Sequence, residues 1–103
     1  ALHSVDWRAA GLADFGKPEH YIQRQVERWS KQFVATKGDS DIPAMERLME
    51  WLPRAVPAGE EVTIVHGDFR LGNLMLHRTE PRVVAILDRE LATLGHPLPD
   101  LAY

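Results

Sequence analysis

The sequence predicts an α+β fold in which a helical part precedes a part built from short strands. Apolar residues recur at helical spacing before residue 57, whereas runs rich in β-branched residues follow Gly59. The chain has 103 residues, of which 45% are hydrophobic and 26% are charged, as in an average soluble globular protein. A chain of this length forms at most one domain. We therefore expect residues 1–57 to be helical and residues 58–103 to carry the strands.

Composition excludes several classes of protein. The formal net charge is −3, so no basic surface for nucleic acid or an anionic membrane is expected. Cysteine is absent, which excludes disulfides and thiolate metal sites and fits a reducing compartment. No apolar run is long enough to cross a membrane, and the N-terminus does not resemble a signal peptide. We expect a cytoplasmic protein.

The first half of the chain predicts three helices. A short one runs from an N-cap at Asp6 to a stop at Gly11. A longer one follows Pro18, because apolar residues recur at steps of four, three and four. These residues, expected to form one buried stripe, are Ile22, Val26, Trp29 and Phe33. A third helix opens at Pro43 and is ended by Pro53. Its shared apolar face is predicted to contain Met45, Leu48, Met49 and Leu52.

The second half predicts strands around a polar loop. Val62–Val65 is a short strand that leads directly into His66. Two further strands, Leu74–His77 and Val83–Leu87, are joined by a turn and should form an antiparallel hairpin. If Arg78 pairs with Val83, the register places Asn73 opposite Asp88 at the open end of the hairpin. Near the end of the chain, Pro99 is predicted to open a helix that carries Asp100 to Tyr103.

The loop after the first strand carries the residues that predict chemistry. It reads His66-Gly67-Asp68-Phe69-Arg70-Leu71-Gly72-Asn73. Phosphoryl transfer from ATP needs a carboxylate that receives the proton of the acceptor hydroxyl, and Asp68 would be that group. Magnesium prefers hard oxygen ligands and takes only one or two from the protein, which Asn73 and Asp88 could supply. The tripeptide His66-Gly67-Asp68 by itself fits an ordinary turn equally well. The complete pattern favours the catalytic interpretation.

Residues 62–103 resemble the aminoglycoside phosphotransferase and choline kinase group of protein-kinase-like enzymes. The resemblance is strongest over residues 66–73 and 86–103, and Leu2–Asp6 resembles the segment that enters the helical lobe in that family. It implies that Asp68 is the catalytic base, that Asn73 and Asp88 bind magnesium, and that His66 organises the catalytic loop. The implied cofactors are ATP and Mg²⁺. The implied fold is part of a protein-kinase-like C-terminal lobe spanning residues 1–103.

The end of the chain is most similar to a subgroup that includes kinase-like domains fused to acyl-CoA dehydrogenases. That subgroup usually has Trp where Arg89 stands. Arg89 could steady phosphates, or pair with Glu90 or Asp100, but we favour a harmless replacement at the surface. The family acid that matches Asp100 hydrogen-bonds the catalytic loop, although a first-turn helix charge explains Asp100 equally well.

The features of a complete kinase are only partly present. The sequence contains no Gly-x-Gly-x-x-Gly loop and no strand lysine before the catalytic loop. We therefore expect a fragment that is inactive alone and that self-associates through surface exposed by the missing lobe. The acceptor is a small-molecule hydroxyl, and the sequence does not choose between an aminoglycoside and a hydroxyacyl thioester.

Two other functions remain open at this point. A non-catalytic pseudokinase remnant used for assembly would explain Arg89 and the absent lobe. A metal-dependent hydrolase using His66, Asp68 and Asp88 is less favoured, because Asn73 is a poor zinc ligand. The other histidines show no metal-ligand spacing and are assigned no role. They are His3, His20, His77 and His96.

Overall fold

The computed structural model describes residues 2–59 and 61–102. The backbone divides into two compact units, one made of residues 2–18 and 61–102 and the other of residues 19–59. The first unit carries all four strands and the predicted catalytic loop. It is therefore the unit in which the candidate site is built.

The helical unit contains the two longer helices that the sequence predicts. Helix α1 is Tyr21–Thr36 and helix α2 is Pro43–Trp51. Pro43 opens α2, as expected from its fixed φ and missing N–H. The predicted stop at Pro53 is less sharp, since a 3₁₀ turn, Leu52–Arg54, continues the chain and packs on α1. The two helices are also linked by the exposed ion pair between Lys37 Nζ and Glu46 Oε1, at 2.9 Å.

The predicted apolar stripe of α1 forms, but the prediction that it is buried is wrong. Ile22, Val26 and Phe33 are half-buried, and Trp29 is 54% exposed. Tyr21, just outside the predicted stripe, is the only residue of α1 that is buried. A helix can pack only one of its faces against a single neighbouring helix. A unit made of two short helices therefore buries only a small part of its apolar surface.

The segment before α1 is built from turns rather than from the predicted short helix. The Asp6 carboxylate does cap it, because Oδ1 accepts hydrogen bonds from the N–H groups of Arg8 at 3.1 Å and Ala9 at 3.0 Å. Gly11 then adopts a φ of +72°, which ends the segment after one turn. A single turn gains too few hydrogen bonds to offset the cost of helix nucleation.

The strands form two separate antiparallel pairs. Strand β1 is Thr63–Val65 and pairs with β4, Thr93–Gly95. The predicted hairpin is formed by β2, Leu74–Leu76, and β3, Val83–Ile86. The sequence did not predict β4, whose three residues give no periodic signal of their own. The buried core lies between β1 and β4 and consists mainly of Ile64, Val65 and Leu94. The β4 backbone is held further by Phe15, whose carbonyl accepts the Leu94 N–H at 3.1 Å.

The register predicted for the hairpin is wrong. Strand β2 is Leu74–Leu76 and strand β3 is Val83–Ile86, with Leu74 opposite Ile86 rather than Leu87. A bulge lies after Met75, so one extra residue of β3 is accommodated in the ladder. The prediction started from Arg78 opposite Val83, whereas Leu76 is the residue opposite Val83. It is therefore wrong by two residues next to the turn, and the bulge reduces the error to one residue at Leu74.

The chain then forms a short helix, α3, Leu98–Leu101. Pro99 is its second residue rather than its first. Tyr103, which the sequence places in the same helix, lies outside the described residues. No helix among residues 2–59 and 61–102 is both long enough and apolar enough to cross a bilayer.

The hairpin leaves apolar side chains in solvent. Met75, Leu76, Val83 and Val84 are all exposed. The self-association expected from the sequence stays a prediction, and apolar surface of this kind would drive it. Sedimentation velocity of residues 1–103 should show a concentration-dependent increase in mass, and a monodisperse monomer would contradict it.

Candidate active site

The polar loop begins where β1 ends in the core. Val65 and His66 are both completely buried, so the strand fixes the start of the loop. Gly67 follows with a φ of +85°, a conformation that favours glycine. A Cβ at this position would lie 2.8 Å from the Leu91 carbonyl oxygen. The loop therefore passes against the backbone of the segment before β4, and only glycine allows this approach.

Asp100 anchors the backbone of this loop. Its Oδ2 accepts the His66 N–H at 2.8 Å, and its Oδ1 accepts the Gly67 N–H at 2.9 Å. The residue is only 5% exposed. Hydrogen bonds to a buried carboxylate are stronger than neutral ones, so the carboxylate fixes two consecutive peptide groups. The loop contact implied by the family resemblance is confirmed for Asp100, which also lies in the first turn of α3.

The His66 side chain connects the loop to the hairpin. Its Nδ1 accepts the Asp68 N–H at 3.2 Å, and its Nε2 is 2.9 Å from the Leu87 carbonyl oxygen. These partners assign the proton to Nε2, because a backbone N–H can only donate and a carbonyl can only accept. The ring also meets Phe69 edge-on, with 5.9 Å between ring centroids. His66 thus holds Asp68 and the residue before Asp88 at fixed positions.

Asp68 and Asn73 are in direct contact. The Asn73 Nδ2 donates to Asp68 Oδ2 at 2.9 Å and to the Asp68 carbonyl oxygen at 2.8 Å. The Arg70 Nε donates to the same carboxylate oxygen at 3.2 Å. Both protons of the Asn73 amide are therefore used inside the loop. Its Oδ1 accepts no hydrogen bond from residues 2–59 or 61–102, so this oxygen has the chemistry required of a cation ligand.

Asp88 lies one residue beyond the position opposite Asn73. The Leu87 N–H donates to the Asn73 carbonyl oxygen at 2.8 Å, so Leu87, and not Asp88, is the residue across the hairpin. Asp88 itself has a φ of +60°, in the left-handed region. That conformation costs a non-glycine residue about 1 kcal/mol and turns the chain sharply after β3. The Asp88 carboxylate is exposed and has no partner in the described ranges.

The structure therefore joins three of the four predicted site residues directly. His66, Asp68 and Asn73 form one hydrogen-bonded loop, and Asp88 is tied to it through the Leu87 backbone. Among residues 2–59 and 61–102, no group of three His, Cys, Asp or Glu side chains is arranged to hold a metal. A magnesium site with one amide and one carboxylate oxygen does not need such a group. An unpartnered amide oxygen and an exposed carboxylate fit that donor set.

Two further side chains bear on this site. His3, which was assigned no role from the sequence, has its Nε2 2.9 Å from Asp100 Oδ2. Residues 97 positions apart leave no local pattern that predicts such a contact, and only the family resemblance of Leu2–Asp6 pointed to this segment.

Arg89 is exposed and, within the described parts of the chain, pairs with neither Glu90 nor Asp100. Neither ion pair considered for Arg89 forms, and both its interpretation as a harmless surface replacement and a role toward phosphates stay predictions.

Comparison with known proteins identifies the family. The model of the phosphotransferase enzyme family matches residues 1–103, the whole chain. The chain belongs to this phosphotransferase family. A crystal structure from Ralstonia eutropha, of a protein provisionally described as an aminoglycoside phosphotransferase, is 55% identical and superposes with a TM-score of 0.90. It is covered over 32% of its length, and this chain over 100%. The α+β fold of this phosphotransferase-family chain is accordingly part of a kinase-like lobe.

The curated relatives of this phosphotransferase-family chain confirm the subgroup. Mouse acyl-CoA dehydrogenase family member 10 is 53% identical over 99% of this chain and 9% of its own length. Human acyl-CoA dehydrogenase family member 11 is 47% identical over 99% of this chain and 13% of its own length. The chain thus spans about a tenth of the curated relatives it matches. Their names agree with the acyl-CoA dehydrogenase subgroup that the end of the sequence resembles.

Proposed function

We propose that this chain carries the catalytic loop and cation-binding hairpin of an ATP-dependent phosphotransferase that acts on a hydroxyl group of a small molecule. The observation that carries the proposal is the coupling of Asp68 to Asn73 at 2.9 Å, in a loop fixed by the buried Asp100. Membership of the phosphotransferase family supports the reaction class. A cytoplasmic location belongs to the same proposal, because a cysteine-free chain suits a reducing compartment.

Each residue has a defined part in this reaction. The acceptor oxygen forms a bond to the terminal phosphorus of ATP as the bond to the ADP oxygen breaks, and Asp68 receives the proton of the acceptor hydroxyl. Asn73 orients the Asp68 carboxylate through Nδ2 and keeps Oδ1 for the cation. Asp88 supplies the carboxylate ligand, and His66 fixes both segments. Bound magnesium would neutralise charge on the phosphate oxygens.

Residues 1–103 contain only some of the parts that such an enzyme needs. Residues 1–103 contain no glycine-rich phosphate loop and no strand lysine that precedes the catalytic loop. We therefore expect no ATP turnover by these residues alone. The acceptor class also stays open between an aminoglycoside and a hydroxyacyl thioester.

Asp88→Ala tests the cation site. In the full-length protein we expect this change to weaken MgATP binding by at least about 10-fold, because the only carboxylate ligand is removed. Isothermal titration calorimetry with MgATP measures the effect. Asp14→Ala is the matched control, since Asp14 is an exposed aspartate of the same unit.

The same titration separates the enzyme from the assembly module. Wild-type protein that binds MgATP, together with loss of binding in Asp88→Ala alone, supports the phosphotransferase. Absence of binding by the wild type would instead favour a non-catalytic remnant. Equal binding by wild type and Asp88→Ala would show that Asp88 is not a ligand.

A further inference from the structure

The Asp100 carboxylate receives a third donor besides the two loop amides. The His3 Nε2 lies 2.9 Å from Asp100 Oδ2, the oxygen that also accepts the His66 N–H at 2.8 Å. Because a carboxylate oxygen can only accept hydrogen bonds, His3 presents Nε2 as the donor. Among the described residues, His3 is the only side chain that bonds to Asp100.

Burial makes this third donor important. The Asp100 side chain is 2% exposed, whereas that of His3 is 32% exposed. A buried carboxylate loses its hydration and depends on protein donors to remain in place. The imidazole therefore supplies a protein donor to Oδ2, while part of the His3 side chain stays in solvent.

The segment that carries His3 is docked on the strand that leads into the loop. The 3₁₀ turn Leu2–Ser4 packs on β1. It is held from its other end by Trp7, whose Nε1 donates to the Val62 carbonyl oxygen at 3.2 Å. Because the turn packs on β1 and Trp7 bonds to the residue just before that strand, the backbone holds the His3 ring next to Asp100.

We propose that His3 is a positioning residue for phosphoryl transfer. It acts through Asp100, which holds the His66 and Gly67 peptide groups and so sets the orientation of the Asp68 carboxylate. This inference rests on the proposed function for its catalytic consequence. The positioning itself concerns only the loop and can be measured without turnover.

Two substitutions at His3 separate its hydrogen bond from its bulk. His3→Gln keeps a donor near the position of Nε2, whereas His3→Leu fills similar space without one. His77→Leu is the matched control, because the His77 side chain is 30% exposed, close to the 32% of His3, and among the described residues its ring bonds only to Thr79 and Glu80 of its own turn. Each variant is made in the full-length protein.

The first measurement is hydrogen–deuterium exchange of peptides that cover residues 62–73. We expect faster exchange in His3→Leu, and rates close to wild type in His3→Gln and His77→Leu.

The second measurement is ADP release from MgATP, with aminoglycosides and hydroxyacyl-CoA thioesters as acceptors. We expect His3→Leu to lower kcat about 10-fold with little change in the KM for ATP, and His3→Gln to restore most of the loss.

The outcomes are distinguishable. Loop exchange and kcat that are both unchanged in His3→Leu would overturn the proposal, and so would equal impairment of the Leu and Gln variants. If the wild type releases no ADP with any acceptor, the proposed function fails. The exchange measurement then still decides whether His3 holds the loop.

Discussion

Asp68→Asn is expected to lower kcat of the full-length protein by about 10²- to 10⁴-fold, the range typical for loss of a general base. Asparagine has the same shape and keeps one oxygen that can accept the Asn73 Nδ2 hydrogen bond, observed at 2.9 Å in the native chain. The loop should therefore retain its conformation while the proton acceptor is lost. The affinity for MgATP should change little, because Asp68 is not a ligand of the cation in this proposal.

Steady-state ADP release and calorimetric titration with MgATP measure these two quantities. Asp14→Asn is the control for the change of charge, since Asp14 is exposed on the same unit. If the variant keeps its turnover but binds MgATP more weakly, Asp68 binds the cation and does not accept the proton. A variant with unchanged kcat would exclude it from the chemistry altogether.

Asp100→Asn is expected to have the second large effect, and this effect is on stability as well as on turnover. In the native chain the Asp100 carboxylate accepts three hydrogen bonds, from the His66 N–H, the Gly67 N–H and His3 Nε2. In the variant an NH₂ group replaces one of the two oxygens, so a donor faces a donor at that position. A hydrogen bond to a charged group contributes about 1.5–3 kcal/mol, so losing one and weakening the others should lower the free energy of unfolding by about 3 kcal/mol.

Urea denaturation followed by tryptophan fluorescence measures the stability change, and ADP release measures the loss of turnover. Trp7 is well placed as a probe, because its indole is hydrogen-bonded to the carbonyl oxygen of Val62, the residue just before the strand that leads into the loop. Asp14→Asn again reports the effect of charge alone. Equal denaturation midpoints for Asp100→Asn and wild type would show that the carboxylate is not an anchor of this loop.

The local elements were largely predictable because their signals are local. Helices α1 and α2 follow from apolar spacing and from Pro43, and strand β1 follows from a β-branched run. Asp6 was correctly predicted to cap its neighbours, but the turn it starts ends too soon to be a helix. Burial was less predictable, since a stripe such as that around Trp29 is buried only if another element covers it.

Pairing between distant segments was not predictable from local patterns. Strand β4 has three residues and is defined by its bonds to β1 and to Phe15. Next to the turn Leu76, and not Arg78, lies opposite Val83, and the bulge after Met75 then shifts the ladder by one residue, so Asn73 faces Leu87. Neither feature leaves a periodic pattern in the sequence, because a ladder depends on its partner as much as on its own residues.

The sequence by itself determined the chemical content of the site: the order of His66, Asp68 and Asn73 in one loop, Asp88 after the next hairpin, and the family to which they belong. The tertiary structure alone decided how Asp100 is used and that His3 joins it across 97 residues. The physical reason is that a buried carboxylate must find donors wherever the fold brings them. Sequence neighbours specify turns and strands, but hydrogen bonds to a buried charge are selected by packing.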